Sequence, residues 1–118
     1  MKSTFLSLAL MVMITSCGVF NSLTSNTIIK PNDSFILGNN EHGSFSVKLK
    51  NVSDHDLEIY QAPIKGGKHS TQIVTPNGVI TVKVDSDTAL VINNKSSKMA
   101  SVDLKVTGDT GLSMGYKN

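Results

Sequence analysis

Apolar and polar residues alternate along most of the chain beyond residue 44, and this two-residue period constrains the fold more than any other feature. Successive side chains of a strand point to opposite faces, so each alternating run predicts an antiparallel strand with one buried face. No window shows a 3.6-residue period, and we therefore expect essentially no helix beyond the amino-terminal apolar segment. The residues predicted to face inward are Phe45, Val47, Leu49, Leu57, Ile59, Ile80, Val82, Val84, Ala100, Val102, Leu104, Val106, Leu112, Met114 and Tyr116.

The remaining segments add shorter strands and turns. The stretch ALVIN, residues 89–93, is apolar on both faces and predicts a central strand, while TIIK, SFIL and TQIVT carry a weaker strand signal. Clusters of Gly, Asn, Asp, Ser and Pro separate the strands. Asn77-Gly78 predicts a hairpin with a type I′ turn, because this dipeptide tolerates the positive φ angles that such a turn requires.

Roughly seven to nine short strands in about 90 residues predict a β-sandwich with Greek-key connections. One sheet alone would leave its apolar face in water, so two sheets must pack together. The stretches KLKNVSDHDLEI and VINNKSSKMASVDLKV both consist of a strand, an Asn-x-Ser turn and a second strand, as in the hairpins of immunoglobulin-like sandwiches. We predict an all-β, immunoglobulin-like antiparallel sandwich, with a small closed β-barrel as the alternative.

The first residues have the organisation of a secretory signal peptide. Lys2 precedes the apolar run FLSLALMVMI, residues 5–14, and the small residues Thr15 and Ser16 follow this run. A bilayer-spanning helix needs about 20 apolar residues, so this run is too short to be a stable anchor and fits a cleaved signal. Residues 1–16 are therefore predicted to be a signal peptide.

The sequence Ile14-Thr15-Ser16-Cys17 resembles the lipobox of bacterial lipoproteins. The resemblance implies that the Cys17 thiol is joined to diacylglycerol and that the signal is cleaved before it. Two or three acyl chains anchor a protein firmly, whereas one chain binds marginally. We predict a lipidated Cys17 and tether over residues 17–25 and a β-sandwich domain over residues 26–118, with an ordinary signal peptide or an uncleaved anchor as alternatives.

Lipidation would place the protein in the bacterial cell envelope, with membrane lipid as a partner through Cys17. Gly18 follows Cys17, where an aspartate would resemble an inner-membrane retention signal of enteric bacteria. We therefore predict the outer membrane, with the domain facing the periplasm. Cys17 is the only cysteine, so no disulfide can form within the chain.

Asp54-His55-Asp56 is the densest group of metal-capable side chains. Three or four ligands must converge on a zinc-type ion, and His42 or His69 would have to complete the set. Neighbouring strand residues point to opposite faces, so we favour a turn and keep a metal site as the alternative.

Lys65-Gly66-Gly67-Lys68-His69 is the second candidate. It lacks the first glycine and the helix of a phosphate-binding loop, and it predicts a flexible hairpin tip. Lys65, Lys68 and His69 would be the residues to bind an anion or a lipid headgroup.

No nucleophile motif or telling carboxylate pair is present, so we predict no catalytic residue and no cofactor. The near-neutral charge, with no clustered basic segment, argues against nucleic acid as a partner. The favoured function is a non-catalytic, lipid-anchored interaction or accessory module whose partner is an envelope protein or a glycan. The alternative is a lipoprotein that binds a metal or small ligand through Asp54, His55 and His69. Inhibition of an extracellular hydrolase is a third class compatible with this size and location.

Overall fold

The computed structural model describes residues 22–118, and these form nine strands and no helix. The described part accordingly has no helix long and apolar enough to cross a bilayer. The predictions for the signal peptide, for Cys17 and for the tether up to residue 21 lie outside the described residues. The strands are β1 (Ser22–Ile29), β2 (Asp33–Leu37), β3 (Phe45–Asn51), β4 (Leu57–Pro63), β5 (His69–Val74), β6 (Val79–Val84), β7 (Thr88–Asn94), β8 (Ala100–Gly108) and β9 (Met114–Tyr116).

The strands pair into two antiparallel sheets that share one core. The four-stranded sheet has the order β1-β8-β3-β6, and the five-stranded sheet has the order β9-β2-β7-β4-β5. The predicted β-sandwich is confirmed, and two sheets with separate edge strands rule out the closed barrel. The buried core residues are Ile29, Phe35, Leu37, Phe45, Val47, Leu49, Leu57, Ile59, Val74, Val82, Val84, Leu90, Ile92, Ala100, Val102, Leu104 and Val106.

The connectivity of the sandwich is that of a jelly roll. The first eight strands give the orders 1-8-3-6 and 2-7-4-5, and a ninth strand is added beside β2. In the immunoglobulin order the first two strands share a sheet, whereas here they lie in different sheets. Only the connection from β4 to β5 joins neighbours within one sheet; every other connection of the described strands crosses the sandwich.

The alternation predicted the buried faces of β3, β4 and β8 correctly. It was wrong for Met114 and Tyr116, which are 45% and 49% exposed. Both residues lie opposite the buried Leu37 and Phe35, but β9 is a three-residue strand at the edge of the five-stranded sheet. Tyr116 instead packs against Phe35, with ring centroids 5.5 Å apart, and donates a hydrogen bond to the carbonyl of Ile28 at 2.7 Å.

The strand predicted to be central from ALVIN is β7, the middle strand of five. Its outward-facing Val91 is only 5% exposed, because Ile36 of β2 and Tyr60 of β4 lie directly opposite it on either side. The prediction from its apolar composition is confirmed.

The predicted tether is too long at its carboxyl end. Strand β1 already begins at Ser22, so residues 22–25 belong to the sheet rather than to a tether. Antiparallel pairing with β8 starts at Ser22, opposite Thr107, and Leu23 packs against the core. The polar residues around Leu23 face away from the core, which hid the strand in the sequence.

The connection at Asn77-Gly78 differs in two respects from the predicted hairpin with a type I′ turn. Strands β5 and β6 lie in different sheets, so no hairpin joins them. The turn has Pro76 at its second position and Asn77 at φ 65° at its third, with the amide of Gly78 donating to the carbonyl of Thr75 at 2.8 Å. This is the pattern of a type II turn rather than type I′.

The repeated Asn-x-Ser element forms two equivalent corners between the sheets rather than two hairpins. Asn51 ends β3 and Asn94 ends β7, and both side chains are fully buried. In each corner the asparagine Oδ1 accepts a hydrogen bond from the backbone amide of the serine two residues later, Ser53 or Ser96. Each Nδ2 donates to carbonyls of the loop that follows and of a neighbouring strand end.

The loops cluster at two ends of the sandwich. We call the end at which β1 begins the amino-terminal end; it holds residues 38–44, 64–68, 85–87 and 109–113. The far end holds residues 30–32, 52–56, 75–78 and 95–99.

Candidate binding surface

The outward-facing side of the four-stranded sheet carries four lysines. Alternation within the strands turns Lys48 and Lys50 of β3, Lys83 of β6 and Lys105 of β8 toward solvent, and all four are exposed. We call this surface the lysine face. Its residues are Ser22, Thr24, Asn26, Ile28, Ser46, Lys48, Lys50, Val79, Thr81, Lys83, Ser101, Asp103, Lys105 and Thr107.

The strand register places Lys48 and Lys105 directly opposite each other on adjacent central strands. Like charges in this position repel and destabilise a sheet. Within residues 22–118, the ion pairs involve Asp54, Glu58 and their partners, and none of the four lysines of this face takes part. The register places Lys50 opposite Asp103, whereas Lys48 and Lys105 face each other with no carboxylate between them. The ammonium groups of Lys48 and Lys105 are therefore the ones available to a ligand.

Asp103 is the one carboxylate of the lysine face, and Asn26 holds it with a hydrogen bond from Nδ2 to Oδ1 of 2.8 Å. Four lysines and one aspartate give this face three net positive charges, compared with a formal net charge of +2 for the whole chain. The positive charge of the protein is thus concentrated on one side of one sheet.

A groove of about 590 Å³ crosses all four strands of this face. Its volume lies within the roughly 300–1,000 Å³ of small-molecule sites. It combines ammonium, hydroxyl and amide groups with the apolar side chain of Val79 and the lysine methylenes. The lining residues are Thr24, Ser25, Asn26, Lys48, Lys50, Val79, Asp103, Leu104 and Lys105.

The structure places Asp54 and His55 together at the far end, in the turn that the sequence favoured. His55 Nδ1 lies 3.0 Å from Asp54 Oδ1 and Nε2 lies 3.1 Å from Asn94 Oδ1, so both ring nitrogens have partners. The hydrogen bond from His55, and then Lys98, lowers the pKa of Asp54 below its ordinary value. Asp56 is exposed beside them.

The proposed third ligand, His69, does not join this group. The β4–β5 register pairs Leu57 with Val74 and Gln61 with His69, so His69 lies at the opposite end of the hairpin from His55. Across residues 22–118 no group of three or more His, Cys, Asp and Glu side chains is arranged to hold a metal.

His42 has a different role from the metal ligand considered for it. Its Nδ1 lies 2.6 Å from the carbonyl oxygen of Gly43, and its Nε2 lies 3.1 and 2.9 Å from those of Gly38 and Thr88. Its ring also packs edge-on against Phe45. His42 therefore ties the loop before β3 to the start of β7.

As predicted, Lys65 and Lys68 lie at the tip of the β4–β5 hairpin, and His69 is the first residue of β5. Gly66 and Gly67 form the tip with φ angles of 116° and 82°. Lys68 Nζ lies 4.7 Å above the ring of Tyr60, and His69 Nδ1 lies 2.8 Å from Ser70 Oγ. Lys68 and His69 are thus engaged with neighbours on the five-stranded sheet, away from the lysine face.

The alternation in the sequence predicted that the four lysines face outward, but it did not predict that they lie close together. They lie in three strands, and their proximity depends on the insertion of β8 between β1 and β3. The signal that could have indicated the face is the exclusive use of lysine and hydroxyl residues at the outward positions of β3, as in SFSVKLK.

The comparisons with known proteins concern the fold. The structure is similar to crystal structures of the capsular polysaccharide assembling protein CapF from Staphylococcus aureus, with a TM-score of 0.56, 18% identity and coverage of 74% of this chain and 24% of CapF. CapF with the inhibitor 3-isopropenyl-tropolone gives a TM-score of 0.57 at the same identity and coverage. The Yersinia pseudotuberculosis-derived mitogen covers 75% of this chain at a TM-score of 0.46 and 18% identity. The chain thus spans about a quarter of the length of CapF.

No family model and no curated relative matches the sequence.

Proposed function

We propose that this protein is a lipid-anchored, non-catalytic binding module of the bacterial cell envelope and that the lysine face is its binding surface. The observation that carries the proposal is that Lys48 and Lys105 lie directly opposite each other on adjacent strands and that both line a groove. Repulsion between them lowers the stability of the free protein, and an anionic partner would remove it. The fold similarity to CapF adds nothing about partners, so the proposal depends on this face.

The anchor and the binding surface are compatible in space. Cys17 precedes the start of β1 by five positions, and an extended chain of that length reaches at most about 17–18 Å. A lipidated Cys17 would hold the amino-terminal end near the membrane, with β1 leading away from it. The lysine face, on the side of the sandwich, would then be open to partners in the periplasm.

The anchor is tested by mass spectrometry of the protein from its native membrane, with a Cys17→Ser variant as the control. We expect a mature amino terminus at Cys17 that carries diacylglycerol, and accumulation of the precursor when signal peptidase II is inhibited. The variant should lack the lipid. An intact, unmodified amino terminus in the wild-type protein would refute the anchor and leave the lysine face unaffected.

A further inference from the structure

We propose that the lysine face binds an acidic polysaccharide chain, whose carboxylates contact the lysines and whose sugar rings lie in the groove. This inference rests on the proposed function, because it names the class of partner for the same surface.

Three lysine charges lie within a few ångströms of one another at the centre of the face. Lys48 and Lys105 are nearest neighbours across two strands, which lie about 4.7–4.9 Å apart. Lys50 follows Lys48 two residues along β3, a distance of about 6.6 Å. The first separation runs across the strands and the second along β3, so the three lysines form a corner, with Asp103 opposite Lys50. A uronic-acid polymer can place one carboxylate between Lys48 and Lys105 and a second one near Lys50. Charge-assisted hydrogen bonds of this kind are roughly twice as strong as neutral ones.

The groups between the lysines fit sugar rings. Thr24 and Thr81 present hydroxyl groups beside the lysines, and these can donate to and accept from sugar hydroxyls. The Nδ2 of Asn26 already donates to Asp103 and Ser101, so Asn26 contributes its amide oxygen as an acceptor. Val79 supplies an apolar surface in the groove against which the C–H face of a sugar can pack. A small anion such as free phosphate would use the charges and leave these groups without contacts.

The same features argue against a membrane surface and against single-stranded nucleic acid. A membrane surface is too broad to enter a groove of about 590 Å³, and lipid headgroups would leave its floor uncovered. Single-stranded nucleic acid binds by stacking its bases on aromatic side chains, and none of the fourteen residues of the lysine face is aromatic. An acidic glycan uses both the charge and the concave shape.

The test uses the full chain with Cys17→Ser in non-ionic detergent, so that lipid does not contribute to binding. The probes are polygalacturonate, neutral dextran of similar length and the soluble short-chain lipid dihexanoyl-phosphatidylglycerol, each followed by calorimetry at low salt. The test variant carries Lys48→Gln and Lys105→Gln. The matched control carries Lys95→Gln and Lys117→Gln, which remove the same charge from exposed positions elsewhere.

We expect polygalacturonate to bind and dextran not to bind. The Lys48/Lys105 variant should bind at least about tenfold more weakly, because two charge-assisted hydrogen bonds are lost, and the control should change less than about twofold. Cooperative thermal melting of each variant would show that it remains folded. The two midpoints need not be equal, because the test variant loses the repulsion between Lys48 and Lys105 and the control loses the ion pair between Lys95 and Glu58.

Three results would overturn the proposal: no binding of polygalacturonate, equal weakening in both variants, or displacement of the polymer by the short-chain lipid at equal charge. None of these results bears on whether Cys17 is lipidated, so the two proposals fail separately.

Discussion

The buried corner at Asn94 offers the sharpest test of the fold. Its Nδ2 lies 3.1, 3.1 and 2.8 Å from the carbonyl oxygens of Ile29, Lys30 and Lys98, and its Oδ1 accepts from the backbone amide of Ser96 at 3.1 Å. Asn94→Ala removes these four hydrogen bonds, and also the 3.1 Å contact of Oδ1 with His55 Nε2, without changing the apolar core. The side chain is fully buried, so water does not replace it in the intact corner.

The expected loss follows from the number of groups left without partners. A buried polar group that loses its partner costs about 1–3 kcal/mol, and local opening of the loop would hydrate some of these groups. We therefore expect Asn94→Ala to lower the free energy of unfolding by about 3–5 kcal/mol, a large share of the roughly 5–15 kcal/mol of a typical domain.

Two neighbouring asparagines provide graded controls. Asn51 holds the equivalent corner by donating to the carbonyls of His55 and Val74, so Asn51→Ala should cost about 2–4 kcal/mol. Asn93 faces outward and makes a 3.0 Å contact with Ser34 and a long one of 3.4 Å with Glu58, so Asn93→Ala should cost about 1 kcal/mol or less.

The assay is urea unfolding followed by circular dichroism. We expect the loss in the free energy of unfolding to be largest for Asn94→Ala, smaller for Asn51→Ala and smallest for Asn93→Ala. Equal losses at Asn94 and Asn93, or a loss below about 1 kcal/mol at Asn94, would refute the assignment of Asn94 as a structural corner.

Three further predictions concern stability. Lys105→Gln should raise the free energy of unfolding by about 0.2–1 kcal/mol at low salt, by removing the repulsion with Lys48, and the gain should vanish in high salt; a gain independent of salt would contradict this explanation. Gly78→Ala should destabilise the β5–β6 turn, because its Cβ would lie 2.8 Å from the carbonyl oxygen of Thr75; an unchanged urea midpoint would show that the turn can shift freely. The backbone amides of Gly43 and then Gly111 lower the pKa of Asp109, so its contribution to stability is present above the unfolded pKa of about 3.9 and is lost as pH falls through the lower folded value. Asp109→Asn should therefore reduce the fall in the free energy of unfolding at acidic pH. The same fall in both proteins would contradict this.

The sequence predicted the faces of the strands but not their neighbours. Alternation is a property of each strand alone. It correctly predicted that Lys48 and Lys105 face outward and that Val47 and Leu104 are buried. Which strands lie side by side depends on tertiary packing, and β3 and β8 pair although more than 50 positions separate Lys48 from Lys105. The lysine face was therefore not predictable from local patterns, whereas the sandwich was.

The candidate sites predicted from the sequence are clusters of residues that are adjacent in the chain. Asp54-His55-Asp56 and Lys65-Gly66-Gly67-Lys68-His69 were chosen because chemically active residues are adjacent in sequence. In the structure, His55 is held by Asp54 and Asn94, and Lys68 lies over Tyr60. The repeated Asn-x-Ser element was a correct structural signal, but its hydrogen-bond partners, such as Ile29 for Asn94, are distant in sequence and could not be named in advance.

Whether the lysine face binds the polymer is measured by chemical modification of the lysines of the full chain, with and without polygalacturonate, with the modified residues identified by mass spectrometry. We expect the polymer to slow reductive methylation of Lys48, Lys50 and Lys105, while Lys95 and Lys117 react at the same rate in both samples. Uniform protection of all these lysines, or strongest protection at Lys95 and Lys117, would contradict it.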